Sequence, residues 1–430
     1  MQLIFQYALH LKKFVDIHFG MNRGIDGENK QPVNSSTVQS KTLEKYPKKT
    51  YATVLVTAAG GIIGQGIMKS LRLASNASVS PISYQIISTD SSPLAAGLYR
   101  SDIGLVVPKA SHPEYIDSII EHLKRYNVDA LFVGSDEELV TIATAKKRIE
   151  RESPTKVLVT ELGVIEIARD KWETYKFLKS NDVSCAESCL PENRDGFIEE
   201  FGFPIVVKPR EGFGSVNFFI AKSTDEMEYA LNKIQDYGWK PMLQEYLPGR
   251  DEEFTSGVTI DKSGTYAMSS IAMRKYLKGG QTYKAFIDDY PIVRISAENV
   301  AEKLGVTGAV NIQAMYVPND EMTSSLRTAA EFEPNNLNES LHNGRMKIFE
   351  INPRFSATCP LRSFAGINEP DLVFRNAVFD EKIEKLTKCE RLVCMRYWNE
   401  VYVNLAIYEK LKYVGSLKQG LENSNSPHYF

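Results

Sequence analysis

From Tyr51 onward the chain alternates short apolar runs with amphipathic stretches, and this alternation restricts the fold more than any other feature. Tyr51-Ala-Thr-Val-Leu-Val-Thr57 is a β-branched run typical of a strand buried on both faces. It leads into Ala58-Ala59-Gly60-Gly61-Ile62-Ile63-Gly64, after which Ile67, Leu71 and Leu73 follow a helical pattern. Further strands are predicted at 84–88, 103–107, 130–133 and 157–159. Helical patterns occupy 115–126 and the stretch opened by Gly134-Ser135-Asp136-Glu137-Glu138. Such alternation builds a doubly wound, mostly parallel, Rossmann-like sheet over residues 51–165.

Beyond residue 165 the pattern changes. A helix is expected over 171–179, then strands at 203–209 and 217–220 around the turn Glu211-Gly212-Phe213-Gly214-Ser215. Two β runs about a glycine loop predict a hairpin. An amphipathic helix at 225–234 and strands at 242–247, 253–260 and 265–273 make residues 166–390 an α+β region. Residues 391–430 add a strand (392–397), a helix (400–411) and a polar tail. Residues 1–50 stand apart: 1–19 have the spacing of a short amphipathic helix, and 22–49 read as a polar, disordered linker. They lack the uninterrupted apolar core of a secretion signal. The plain reading of this extension is a dispensable segment, and the other is a helix for a partner or a membrane surface.

At 430 residues there is room for two or three domains. The net charge of -3 gives no sign of a nucleic-acid surface. No apolar run approaches the roughly 20 residues that span a bilayer, so the cytoplasm is the default compartment. The five cysteines are scattered, and no second Cys/His pair joins Cys185 and Cys189, which makes them structural thiols in a reducing compartment.

The chemistry centres on Phe349-Glu350-Ile351-Asn352-Pro353-Arg354. In an extended strand Glu350 and Asn352 point the same way. With Gln313 from a neighbouring apolar run they form an all-oxygen set suited to Mg²⁺. Arg354 then stands where it can neutralise a transferring phosphoryl group. Lys208, at a strand end beside Gly212 and Gly214, has the form of a phosphate-binding arrangement. Taken alone it reads more readily as an ordinary hairpin turn. Thr57 to Gly64 can also be read as a dinucleotide turn, with Asp90 at the end of the second strand binding a ribose. The Tyr-x-x-x-Lys pairs Tyr175/Lys179 and Tyr229/Lys233 would then be catalytic candidates for an NAD(P)-dependent oxidoreductase. The plainer reading makes Gly60, Gly61 and Gly64 turn glycines.

The ordered set of motifs over residues 51–385 resembles the ATP-grasp superfamily, in particular its carbamoyl-phosphate-synthase-like and pyrrolysine-biosynthesis-like ligases. The resemblance implies a Rossmann-like lobe followed by a two-part ATP-grasp fold. It assigns Lys171 and Lys208 to the ATP phosphates, and Gly212, Gly214 and Ser215 to a flexible phosphate loop. Glu245, Tyr246 and Leu247 become the hinge that reads adenine, with Glu253 or its neighbour Glu252 on the ribose. Gln313, Glu350 and Asn352 become ligands of Mg²⁺, which Mn²⁺ can replace. Arg354 becomes catalytic. Arg274 would bind a carboxylate or acylphosphate, against the alternative of a solvated basic hairpin that also holds Lys275. Arg362 would touch substrate or be an exposed structural residue, and Ser356 would cap a helix. The implied reaction activates a carboxylate as an acylphosphate and joins it to an amine. Its partners would be ATP and small carboxylate and amine substrates, with no nucleic acid; a homodimer is compatible with the resemblance. Two other outcomes are phosphorylation of a small carboxylate, as in the carbamoyl-phosphate branch, and a regulatory nucleotide-binding protein. The chain is too short for the two tandem halves of the carbamoyl-phosphate large subunit.

Overall fold

The computed structural model describes residues 51–76, 80, 82–212, 216–247, 253–318, 344–397, 399–420, 422 and 424–425. The expectations for residues 1–50 lie outside them. Five parallel strands, β1 (Tyr51–Val56), β2 (Ser83–Asp90), β3 (Ile103–Val106), β4 (Ala130–Phe132) and β5 (Lys156–Leu158), run in the order β3-β2-β1-β4-β5. This is the doubly wound order that the alternation predicts. Helix α1 (Ile62–Asn76) covers one face, where Ile67 and Leu71 meet Val54, Val56 and Ile86. Helices α2 (Tyr115–Arg125), α3 (Asp136–Glu152) and α4 (Leu162–Arg169) cover the other, around Leu55, Ile87 and Leu131. Burial on both sides explains why β1 shows no polar alternation.

The glycine turn before α1 is explained by packing. A Cβ on Gly64 would lie 2.5 Å from the Ala58 carbonyl oxygen. Asp90 accepts hydrogen bonds from the Gly60 and Ser92 amides at 2.8 and 2.9 Å, so its carboxylate closes the turn itself. Below the turn, Glu138 accepts from the hydroxyls of Thr57, Tyr115 and Ser135. Burial raises its pKa, and those three hydrogen bonds oppose the rise.

After α5 (Lys171–Ser180) comes a four-stranded antiparallel sheet: β6 (Ser188–Cys189), β7 (Ile205–Pro209), β8 (Phe219–Ala221) and β9 (Pro241–Glu245), ordered β6-β9-β7-β8. The expected hairpin is present as β7 and β8. Helices α6 (Arg194–Phe201) and α7 (Thr224–Asp236) bury Phe197, Met227 and Leu231 against it. The larger antiparallel sheet comprises β10 (Glu253–Ile260), β11 (Ala267–Lys278), β12 (Gln281–Ile287), β13 (Gly308–Pro318), β14 (Gly344–Asn352) and β15 (Leu392–Met395). Its order is β14-β13-β10-β11-β12-β15. Helix α8 (Pro291–Lys303) packs on one face. The short α9 (Cys359–Phe364) and α10 (Glu369–Phe379) pack on the other and share a continuous core with α1.

Within that core Arg362 is fully buried. It pairs with Glu369 at 3.0 Å and donates to Asn311 Oδ1 at 2.6 Å. It is therefore neither an exposed residue nor a substrate contact: it ties α9 and α10 to the floor of the large sheet. Ser356 also departs from expectation. The N-cap of α9 is Thr358, and Ser356, two residues earlier, accepts from the Thr358 amide.

The chain end differs most. The helix expected over 400–411 is α11 (Leu405–Val414), capped by Asn404. It is preceded by β16 (Tyr402–Val403), which pairs with β18 (Ser424–Asn425). Strand β17 (Ser416–Lys418) adds antiparallel to β3, so the polar tail completes the first sheet. Among the described residues no helix is long and apolar enough to cross a membrane.

Gly257 on β10 lies beneath the buried pair. A Cβ there would stand 1.9 Å from Glu369 Oε1 and 2.1 Å from Arg362 Nη1. Gly257→Ala is expected to cost about 3 kcal/mol of stability by overpacking, read from chemical denaturation. A cost below about 0.5 kcal/mol would mean that the ion pair yields freely.

Candidate active site

The pairing of β13 with β14 assembles the oxygen set. Gln313 stands opposite Glu350, and Asn311 opposite Asn352. The Asn352 amide nitrogen donates to Glu350 Oε1 at 3.1 Å, so the two side chains are immediate neighbours on one face. On the next rung Ala314 pairs with Ile348, leaving Phe349 as an extra residue in β14. This bulge turns Ile348 into the core under α8 while Glu350 and Asn352 face the cleft. The Lys275 ammonium donates to Gln313 Oε1 and pairs with Glu253 at 2.7 Å. A cation thus already stands against this donor set. One carboxylate and two amide oxygens suit a hard divalent ion, and the residues fit that group.

Two lysines from the neighbouring elements complete the charge. Lys208, the fourth residue of β7, is buried and donates to Gln244 Oε1 at 2.9 Å. Burial first, and then the charge of Lys171, lowers its pKa to about 7, while Glu350 acts in the opposite sense. That mutual influence brings Lys208, Lys171 and Glu350, from three elements, to one place. Lys171 opens α5 and donates to the Gly212 carbonyl at 3.0 Å. Its helix start is held by Asp170, which caps the Trp172 and Glu173 amides and grips Arg210, just past the end of β7. Gly214 and Ser215 lie outside the described residues.

Glu245 ends β9. Its carboxylate accepts from the Glu187 amide at 2.7 Å and from Lys347 on β14, and so links the two antiparallel sheets. Tyr246 and Leu247 follow, half-buried. Nearby, Tyr175 and Lys179 both bind the Glu187 carboxylate, at 2.8 and 2.9 Å. The Tyr-x-x-x-Lys spacing there serves a structural carboxylate. Tyr229 of the second such pair is exposed on α7.

Arg354 is bound from across the lobes. Its Nε and Nη2 donate to both oxygens of Asp136 at 2.8 and 2.7 Å, and Nη2 also reaches Asn352 Oδ1 at 3.1 Å. Asp136 was not among the sequence candidates. The available signal was its place at the start of a helix just past a parallel strand's carboxyl end, where such sheets build sites. Lys275, Lys347 and Glu187 were missed as partners because each contact joins separate elements. Arg274 departs from its assigned role. It pairs laterally with Phe254 and Phe286, and its guanidinium lies 4.8 Å from the Phe286 ring. Phe254 belongs to the core under α8, so strand alternation puts Arg274 on the face opposite Lys275 and Gln313.

Two family models match the chain: "PylC-like, N-terminal domain" over residues 62–158 and "ATP-grasp domain" over 168–358. The chain belongs to the ATP-grasp superfamily. It is 27% identical to the carbamoyl phosphate synthase large chain of Pyrococcus furiosus over 48% of this chain and 21% of the relative. With the large chain of Helicobacter pylori it shares 24% identity, over 68% of this chain and 25% of the relative. The chain thus spans a quarter or less of the length of these relatives. Among solved ATP-grasp structures, N5-carboxyaminoimidazole synthetase of Staphylococcus aureus complexed with ADP aligns with TM-score 0.59 at 14% identity. That alignment covers 86% of this chain and 88% of the other. The likeness establishes the fold.

The charge coupling is directly measurable. Lys171→Met should raise the Lys208 pKa above about 7, and Glu350→Gln should lower it further, in a side-chain NMR titration of Lys208. If neither change moves it, the three residues do not share one field.

Proposed function

We propose that this chain is a cytoplasmic, ADP-forming ligase that activates a carboxylate with Mg-ATP and transfers the acyl group to an amine. The observation that carries the reading is Glu350 beside Asn352 and opposite Gln313, within the field of Lys208. In this reading residues 51–165 are the Rossmann-like lobe, 166–390 the ATP-grasp unit, 391–430 a C-terminal strand, helix and tail, and 1–50 an accessory extension. The solved likeness that carries ADP supports the choice of nucleotide.

Gln313, Glu350 and Asn352 would hold Mg²⁺ or Mn²⁺, which neutralises phosphate oxygens when bound. Lys208 and Lys171 bind the phosphates, and Glu245 to Leu247 with Glu253 receive the nucleoside. A carboxylate oxygen of the substrate attacks the γ-phosphorus as the bond to ADP breaks. Arg354 stabilises the charge on the transferring group. The amine nitrogen then attacks the acyl carbon, phosphate leaves with the bonding pair, and the amine proton is released. No side-chain nucleophile takes part. Relatives named as carbamoyl phosphate synthase large chains favour one second reading, phosphorylation of a small carboxylate without an amine acceptor.

Release of ADP and phosphate from Mg-ATP, with pooled carboxylic and amino acids, tests the reading. Acceptor-dependent release should fall about a hundredfold or more in Glu350→Ala. Products AMP and pyrophosphate would overturn it, and release with a carboxylate alone would favour the second reading. A pH series gives an independent check. Lys208 must be protonated to meet the phosphates, so Mg-ATP affinity should be full below pH about 7 and fall as pH rises through it. The decline should approach at most about tenfold per pH unit. Flat affinity from pH 6 to 9 would remove Lys208 from the phosphate site.

A further inference from the structure

Arg396 and Lys69 stand beside the loop that follows Arg354, Arg100 adds its charge to that of Lys69, and among the described residues none of the three has an acidic partner. Gly66 on α1 lies against that loop: a Cβ there would be 3.5 Å from the Ala357 carbonyl oxygen. The same oxygen accepts a hydrogen bond from Arg396 Nη2, and Arg396 Nη1 donates to the Thr282 carbonyl at 3.3 Å. Lys69 is one helical turn beyond Gly66 and shares its face. Arg100 follows the short 3-10 turn Ala96–Tyr99. Partial burial and the charges of Arg396 and Arg100 all lower the Lys69 pKa. Among the described residues, no carboxylate pairs with Lys69, Arg100 or Arg396.

The contrast with Arg72, one turn further along α1, is informative, because Asp102 neutralises it at 2.8 Å. Like charges gathered without a counter-charge destabilise the empty site and favour an anion that meets all three. Arg396 is oriented for this by two backbone carbonyls, and a guanidinium with a neighbouring ammonium suits a carboxylate or a phosphate.

We propose that Lys69, Arg100 and Arg396 form a subsite for a second anionic group, a carboxylate or a phosphate, carried by a substrate of the proposed ligase. This rests on the ligase reading, since the loop that Arg396 holds follows directly from Arg354. Two residues lie between Arg354 and Ala357, a span of about 10 Å when extended. The substrate is therefore of small-metabolite length, with its reacting carboxylate at Arg354 and its second anion on the cationic triad.

The test uses full-length protein loaded with Mg²⁺ and a non-hydrolysable ATP analogue, so that its nucleotide phosphate sites are filled. Inorganic phosphate and succinate are titrated separately by calorimetry into this complex and into Lys69→Gln/Arg100→Gln, two substitutions at exposed positions. Wild type should bind one of the anions, and the variant should bind it at least about tenfold more weakly. Preference for phosphate would indicate a phosphorylated substrate, and preference for succinate a dicarboxylate. Equal affinity in the two proteins, or no binding of either anion to wild type, would overturn the subsite. Failure of the ATP analogue to bind would count instead against the ligase reading, and the anion titrations on unloaded protein would still judge the triad.

Discussion

Everything in the site depends on one irregularity, the extra residue at Phe349 in the β13–β14 ladder. Side chains alternate along a strand, so a regular pairing would send Ile348, Glu350 and Asn352 to the same face. Ile348 belongs to the core under α8, and Glu350 belongs in the cleft. The bulge reconciles the two demands. Without it, either a carboxylate would be buried in apolar packing or an isoleucine would be turned out of the core into the cleft, and both carry a large cost.

The floor beneath that ladder is held by a second constraint, the buried Arg362–Glu369 pair with Asn311 and Thr255 around it. Breaking such a pair on one side costs about 3–5 kcal/mol, because the other charge stays buried. Its geometry fixes Asn311, which stands opposite Asn352, so α9 and α10 help set the position of Asn352 on the face they share. The Arg354–Asp136 pair then links the end of β14 to the first lobe. Since α1, α9 and α10 also share one hydrophobic core, the first lobe acts as a wall of the cleft.

The charged groups at the cleft are arranged for an anion. Lowering Lys208 from 10.5 to about 7 corresponds to a penalty on the order of 5 kcal/mol for its charged form. A polyphosphate neutralised by a divalent ion would offset that penalty. The same logic runs through the uncompensated triad at Lys69, Arg100 and Arg396. At the triad, cations stand close together without the carboxylate partners that the surface supplies at Arg148 with Asp117 and Glu152.

Local pattern determined the strands and most helices, the shared direction of Glu350 and Asn352, and the candidacy of Lys208. Each of these follows from periodicity or from residues near one another in the chain. The tertiary structure alone decided the facing of Arg274, the burial of Arg362, the grip of Asp136 on Arg354 and the return of β17 to the first sheet. Arg274 and Lys275 are adjacent in sequence, yet alternation sends one beneath the sheet and the other to the cleft. Which face is the cleft depends on what packs behind it, and β17 reads as polar tail because an edge strand needs few apolar residues. Those choices rest on contacts between residues far apart in the chain, and periodicity within a segment carries no record of its distant partners.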